Sequence, residues 1–219
     1  MKRVAAAAGL AGLMLAGLVL AAWPAVPLAA QAQAAKPTAP AQAAAATAPA
    51  AIAALRHRAI AGDLQAQYDL AIVLLCGQWV PRDPAQASLW LALASARDHR
   101  GSQSVLGWLL MTGTGARRDD AHAAHWLGKA AEGGDTAAQN NLGVLYATGR
   151  GVKQDEAQAD RWFSAAAEKG ATEAARNLAV LRGEASAPTG RRRAVALAVH
   201  PALAGAACRM LPPTLKNSP

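Results

Sequence analysis

Cysteine is scarce in this sequence: Cys76 and Cys208 are the only two among 219 residues. None follows the apolar N-terminal stretch, so a lipoprotein anchor has no attachment point. A bridge between the two needs Cα atoms within about 7 Å, and Cys208 stands far beyond the segment that holds Cys76. In an oxidising compartment the pair could be bridged only if the tail folds back along the chain; Cys76 is expected instead to be a small buried apolar residue. Aromatic residues make up only 4% of the chain and do not alternate with basic ones, which argues against nucleic-acid binding. Gly149 and Gly151 lack the preceding strand and the following Lys-Ser/Thr of a phosphate-cradling loop, so they are expected to form a turn. Ser88, Ser95, Ser102, Ser104 and Ser164 have no nucleophile-elbow motif and no evident paired His and Asp. His122 and His125 sit at i and i+3, with Asp119 one turn earlier, but a third fixed ligand is missing. No catalytic residue, metal or cofactor is expected.

An excess of either charge is absent from the middle of the chain. From Ala66 to Arg182 twelve Lys or Arg meet twelve Asp or Glu, although the whole chain carries +8. The surplus lies from Gly183 to Pro219, where Arg191, Arg192, Arg193, Arg209 and Lys216 outnumber Glu184. Residues 183–219 are expected to be a basic, partly disordered tail, either a solvated extension or a strip that touches anionic lipid headgroups.

The N-terminus opens with Lys2 and Arg3, followed by 19 uncharged residues from Val4 to Ala22. As a helix this stretch would span roughly 28 Å, enough to cross a membrane. Its Ala and Gly content, Pro24, Pro27 and the small-x-small pattern Ala32-Gln33-Ala34 favour a cleaved export signal over residues 1–34. An uncleaved inner-membrane anchor over residues 4–22 is the alternative. Residues 35–50, rich in Ala, Pro, Gln and Thr, hold too little large apolar surface to offset their ordering entropy and are expected to be a disordered linker.

What is present from residue 51 to 182 is a 36-residue echo. Leu70, Leu106, Leu142 and Leu178 fall one period apart, as do Trp90, Trp126 and Trp162. The same register aligns Gly77, Gly113 and Gly149; Asp83, Asp119 and Asp155; Ala87, Ala123 and Ala159; and Ala94, Ala130 and Ala166. Such self-similarity marks a repeat array that shares one core and offers an extended surface. Leu142, Leu145 and Tyr146 recur at helical spacing, Gly149 and Gly151 stop that helix, and Asp155 caps the next. The second helix carries Ala159, Trp162, Phe163 and Ala166 on one stripe, with Trp162 expected to fill the space between helices. In the first repeat Trp79 replaces the Gly of 115 and 151, and Asp98 replaces the Gly of 134 and 170, so its turns are expected to differ. Ala51 to Asp63 is expected to be an orphan second helix, Ala174 to Arg182 an orphan first helix, and the AVALAV stretch ending at Val199 a short final cap.

The residues NNLGVLYATGRGV, Asp155, Ala159, Arg161-Trp162 and AAAEKG, with VLGWLLMTGTGA, Asp119, Ala123, Trp126 and KAAEGG, resemble the Sel1-like repeats, relatives of the tetratricopeptide arrays. The resemblance implies an all-α, α/α solenoid of about three helix-turn-helix repeats with flanking capping helices. It also implies protein binding without chemistry. The cysteine pair per repeat that accompanies proposed β-lactam activity in some members is absent, which weakens a third alternative, a cell-wall or β-lactam hydrolase.

Binding residues are expected on the first helices, whose free faces line the concave side of related solenoids. Tyr68, Asp69, Trp108, Asn140, Asn141, Val144 and Asn177 mix aromatic and amide groups suited to a peptide or protein segment. Asn140 and Asn141 are expected at the surface, while Trp108 serves either the groove or the core. The whole is expected to be a monomeric, periplasmic or secreted scaffold of the bacterial envelope. The alternative is an envelope component acting through residues 4–22 or its basic tail.

Overall fold

The computed structural model describes residues 39–77 and 79–184. The expected signal over 1–34, the final cap near Val199, Cys208 and nearly all of the basic tail lie outside the described residues. Among the described residues eight helices follow one another: α1 (Ala39–Ile60), α2 (Leu64–Cys76), α3 (Pro84–Ser95), α4 (Arg100–Thr112), α5 (Asp120–Glu132), α6 (Thr136–Thr148), α7 (Glu156–Glu168) and α8 (Thr172–Leu181). No strand occurs among the described residues. Helices α2/α3, α4/α5 and α6/α7 are the three repeats, with α1 and α8 as the expected orphan second and first helices. Helix α1 begins at Ala39, inside the stretch expected to be a disordered linker. Alanine has the highest helix propensity, and Pro40 falls in the first turn, where a missing N–H costs nothing.

The period is written into the ends of the helices. Asp83, Asp119 and Asp155 accept hydrogen bonds from the amides of Gln86, His122 and Gln158 at 2.9, 3.0 and 3.0 Å, starting each second helix. The first helices start at a column the sequence did not reveal. Asp63 and Asp135 accept from Ala66 and Ala138 at 3.0 and 2.8 Å, His99 accepts from Ser102 through Nδ1 at 3.2 Å, and Ala171 leaves α8 without a side-chain cap. A glutamine column ties each first helix to the second helix before it. Gln67, Gln103 and Gln139 donate from Nε2 to the carbonyls of Ala59, Ser95 and Ala131 at 3.0, 3.3 and 3.0 Å, satisfying acceptors that a helix C-terminus leaves open.

Packing explains which columns repeat. The large interior side chains are Leu91, Leu127 and Phe163, all buried, rather than the tryptophans beside them. Trp90, Trp126 and Trp162 are half-buried at the core edge, where Lys129 and Arg161 lie 5.6 and 5.3 Å from the centroids of Trp126 and Trp162. Space between helices is filled by the neighbouring column because the first helix comes very close there. A Cβ on Gly107 would stand 2.6 Å from Leu127, and one on Gly143 2.6 Å from Phe163. Between repeats the approach is closer still. Gly115 and Gly151, both at positive φ, lie over the backbone of Pro84 and Asp120, so that an added Cβ would fall 2.2 and 2.1 Å from their carbonyl oxygens.

The first repeat meets its two exceptions differently. Asp98 adopts φ +60°, the same left-handed turn as Gly134 and Gly170. Gln103 Nε2 and Lys129 Nζ hold its carboxylate at 3.1 and 3.0 Å, which offsets the cost of that conformation for a residue with a Cβ. Trp79 packs against the core beside α1 instead of pressing backbone on backbone.

One ion cluster joins repeats two and three. Arg150 donates to Asp120 at 2.8 and 3.1 Å and to the Met111 carbonyl at 3.0 Å, while Arg118 donates to Asp120 at 2.6 Å. The guanidiniums of Arg118 and Arg150 hold the Asp120 carboxyl down at about 2.

Gly151→Ala is expected to cost roughly 3–5 kcal/mol, because left-handed strain and backbone overlap add. Gly170→Ala, whose Cβ would meet nothing within 4 Å, is expected to cost only about 1–2 kcal/mol; urea unfolding followed by circular dichroism ranks the two. The Asp120 contribution is present in full above the ordinary carboxylate value of about 4 and disappears as pH falls through about 2. The difference in thermal midpoint between the parent and Asp120→Asn should therefore be constant above about pH 5 and close at low pH.

Candidate functional site

First helices form the inner side of the array. α4 touches α6 directly and α6 touches α8, whereas the second helices α3, α5 and α7 make no comparable contact with one another. Elements packed closer together lie on the inside of a curve, and of the expected binding residues Trp108, Asn140, Asn141, Val144 and Asn177 stand on α4, α6 and α8. That face is not open. Asn140 and Asn141, expected at the surface, are 0% and 1% exposed, and Asn177 is 1% exposed. Their amides pair along the row: Asn177 Nδ2 donates to Asn140 Oδ1 at 2.8 Å and Asn140 Nδ2 to Asn141 Oδ1 at 3.3 Å. Paired amides can be buried where unpaired ones cannot.

The other candidates follow the same trend. Val144 and Asp69 are buried, and Asp69 accepts from Gln65 Nε2 at 2.9 Å. Tyr68 is half-buried with its ring 5.1 Å from His99, and burial, with Asp69 and Asp135 nearby, pushes its hydroxyl well above the ordinary value. Trp108 is half-buried against the core, between its two expected roles. Ser104 Oγ donates to Asp135 at 2.9 Å, which joins α4 to the start of α6 as the asparagine seam joins α6 to α8. In α6 nine successive residues, Ala137 to Leu145, are buried. Nine residues turn through every direction around a helix, so α6 is covered on its inner side as well as against α5 and α7.

Open apolar surface lies elsewhere. Ile60, Leu89 and Leu93 are 74%, 66% and 53% exposed, the large apolar side chains left in solvent among the described residues. All three border a groove of about 470 Å³ between α1 and α3, together with Arg56, Gln86 and Trp90. A second groove of about 450 Å³ runs along the other side of α1, past His57, Trp79 and Val80. The signal was present in the sequence: Leu89 stands in the column that holds His125 and Arg161 later, and Leu93 where Lys129 follows. Three such residues gathered around one groove form a contiguous exposed apolar patch, which marks an interaction surface where scattered single residues would not.

Two further expectations meet the structure here. Cys76 is half-buried and disulfide-bonded, not the unbridged buried residue expected. His122 Nδ1 contacts Asp119 Oδ2 at 2.7 Å in the exposed cap of α5, and no group of three metal-ligating side chains occurs among the described residues.

Three Sel1 repeat matches cover residues 64–99, 101–135 and 136–170, one per helix pair. A protective antigen of uropathogenic Escherichia coli strains displaying an SLR fold superposes with a TM-score of 0.55 at 35% identity, over 60% of this chain and 29% of its own. A Sel1 repeat protein from Oxalobacter formigenes superposes with a TM-score of 0.51 at 32% identity, over 57% of this chain and 93% of its own. No curated protein matches the sequence. The chain belongs to the Sel1 repeat family, whose members are generally protein-interaction modules and typically non-catalytic.

Asn140→Ala removes the acceptor of a buried amide and is expected to cost about 2–3 kcal/mol. In the double variant with Asn177→Ala the second substitution should cost at least about 0.5 kcal/mol less than it does alone. Urea unfolding of the four proteins measures the coupling, and strict additivity would remove the seam from the account.

Proposed function

We propose that this protein is an exported scaffold of the bacterial cell envelope that binds a partner protein through the apolar groove between α1 and α3. The observation that carries the proposal is the gathering on one surface of Ile60, Leu89 and Leu93, the large apolar side chains left in solvent among the described residues. Arg56 and His57 stand beside the grooves, so the groove suits a segment that inserts apolar side chains and presents an acidic group. The inner row, expected to hold the partner, is enclosed and offers an external segment little to grip. Export rests on the sequence of residues 1–34, with a periplasmic or secreted destination after cleavage. Among the described residues no helix is long and apolar enough to cross a membrane.

A photoreactive side chain placed at Leu89 or Leu93 in the producing cell is expected to capture one discrete partner, and Ile60→Asp to reduce that capture at least tenfold. A probe at exposed Gln154 serves as the control. Equal capture at all three positions, or none, overturns the groove assignment. Intact mass of the protein from its own host checks export separately: retention of residues 1–34 overturns cleavage.

A further inference from the structure

We propose that His99 makes the joint between α2 and α4 a proton-operated switch: the neutral ring caps α4, and the charged ring releases that cap and is held by α2 instead. The inference is independent of the α1–α3 groove and of export.

The column that starts the first helices holds Asp63, His99, Asp135 and Ala171. Asp63 and Asp135 accept from the amides of Ala66 and Ala138, and aspartates are charged throughout the neutral range. His99 performs the same task with a ring nitrogen, and imidazole is the side chain whose charge changes between about pH 5 and 8. Its Nδ1 accepts from the Ser102 amide at 3.2 Å and lies 2.8 Å from Ser102 Oγ. An accepting Nδ1 leaves the proton of the neutral ring on Nε2, which stands 3.4 Å from Gln65 Oε1 of α2. Gln65 Nε2 donates in turn to Asp69 Oδ1 at 2.9 Å. One nitrogen of the ring thus serves the first turn of α4 and the other faces α2.

A second proton goes to Nδ1 and turns it from acceptor to donor, so the bond from the Ser102 amide is lost. The cation also stands at the N-terminal end of α4, where the helix dipole repels it. On the α2 side the same charge strengthens the line through Gln65 to Asp69. Burial holds the ring below the ordinary value of 6.5, and Asp69 acts in the opposite direction. Neighbouring charges are engaged elsewhere. In the α3–α4 turn Arg97 donates to the Gly62 carbonyl, and Asp98 accepts from Gln103 and Lys129. Arg100 lies over Gly133 at the end of α5, and Asp135 at the start of α6 accepts from Ser104. The ring has little room to slide. Tyr68 packs on it at 5.1 Å between centroids, and a Cβ on Gly101 would stand 3.2 Å from Tyr68 and 3.4 Å from His99. Release of the cap therefore frees the first turn of α4 rather than the ring. The cap is complete above about 6.5 and is lost as pH falls through the lower value of the folded ring.

Amide exchange in the full chain, corrected for the intrinsic effect of pH, tests the switch. From about pH 7.5 to about pH 5, protection at Ser102 is expected to fall about fivefold while Ala66 and Ala138 keep theirs. The imidazole nitrogen resonances of His99 should titrate below 6.5 and in step with that loss. His99→Asp, which restores the carboxylate of the column, should keep Ser102 protected across the whole range. Constant protection at Ser102 in the parent, or equal loss at all three amides, overturns the switch. The same loss in His99→Asp overturns it too and assigns the change to His57, His122 or His125. A ring that titrates above 6.5 is the remaining contrary result, because the folded joint would then favour the charged form.

Discussion

Backbone pressed onto backbone is the constraint from which the rest of this array follows. Gly115 lies over Pro84 and Gly151 over Asp120, so neighbouring repeats meet at a separation that no side chain can bridge or widen. That contact fixes how far one helix pair is displaced from the next. Once the displacement is set, the same residue types must recur at 36-residue intervals, because each one meets the same surroundings. Leu91, Leu127 and Phe163 fill the gap opposite Ala71, Gly107 and Gly143, and the glutamine column closes the carbonyls left open at each turn. Stability in such an array is a chain of neighbour-to-neighbour terms. The Arg150 cluster on Asp120 adds to one of these joints, and the equivalent positions in the sequence hold Thr114 and Gln78 in place of the arginine.

Much of this was legible from spacing alone. The glycine, aspartate and leucine columns identified helix pairs, their turns and their caps, since each rests on local backbone chemistry that a single residue declares. The tryptophan column misled for a physical reason. Trp is large enough to suggest the interior, but the first helix comes so close at Gly107 and Gly143 that the interior belongs to the adjacent residue, and Trp126 and Trp162 carry cations at the edge instead. The column Asp63, His99, Asp135, Ala171 escaped notice because its residue type changes while its backbone position does not.

The surfaces were harder to read than the fold. Periodicity tells which residues share a face, and the structure joins Asn140, Asn141 and Asn177 by their amides while Tyr68 stands beside His99. It does not tell whether that face meets water. Amides that pair with one another lose little on burial, so Asn140 and Asn177 carry the same letters in an open groove and in a closed seam. The α1–α3 surface posed the opposite problem. Leu89 and Leu93 look like ordinary core residues in isolation and become informative only beside His125, Arg161 and Lys129, which later repeats place in their columns.

Ala171 gives the array a direction. Every earlier first helix begins with a side chain that accepts from its own first turn, and α8 begins with none. Its first-turn amides therefore lack the side-chain acceptor that starts α2, α4 and α6, and the helix depends on α7 and α6 for its shape. In a one-dimensional assembly, the least self-sufficient end is where melting starts. The fluctuations of this protein should thus enter from its C-terminal side and travel toward α2, leaving the apolar groove at α1 and α3 on the last part of the molecule to lose its form.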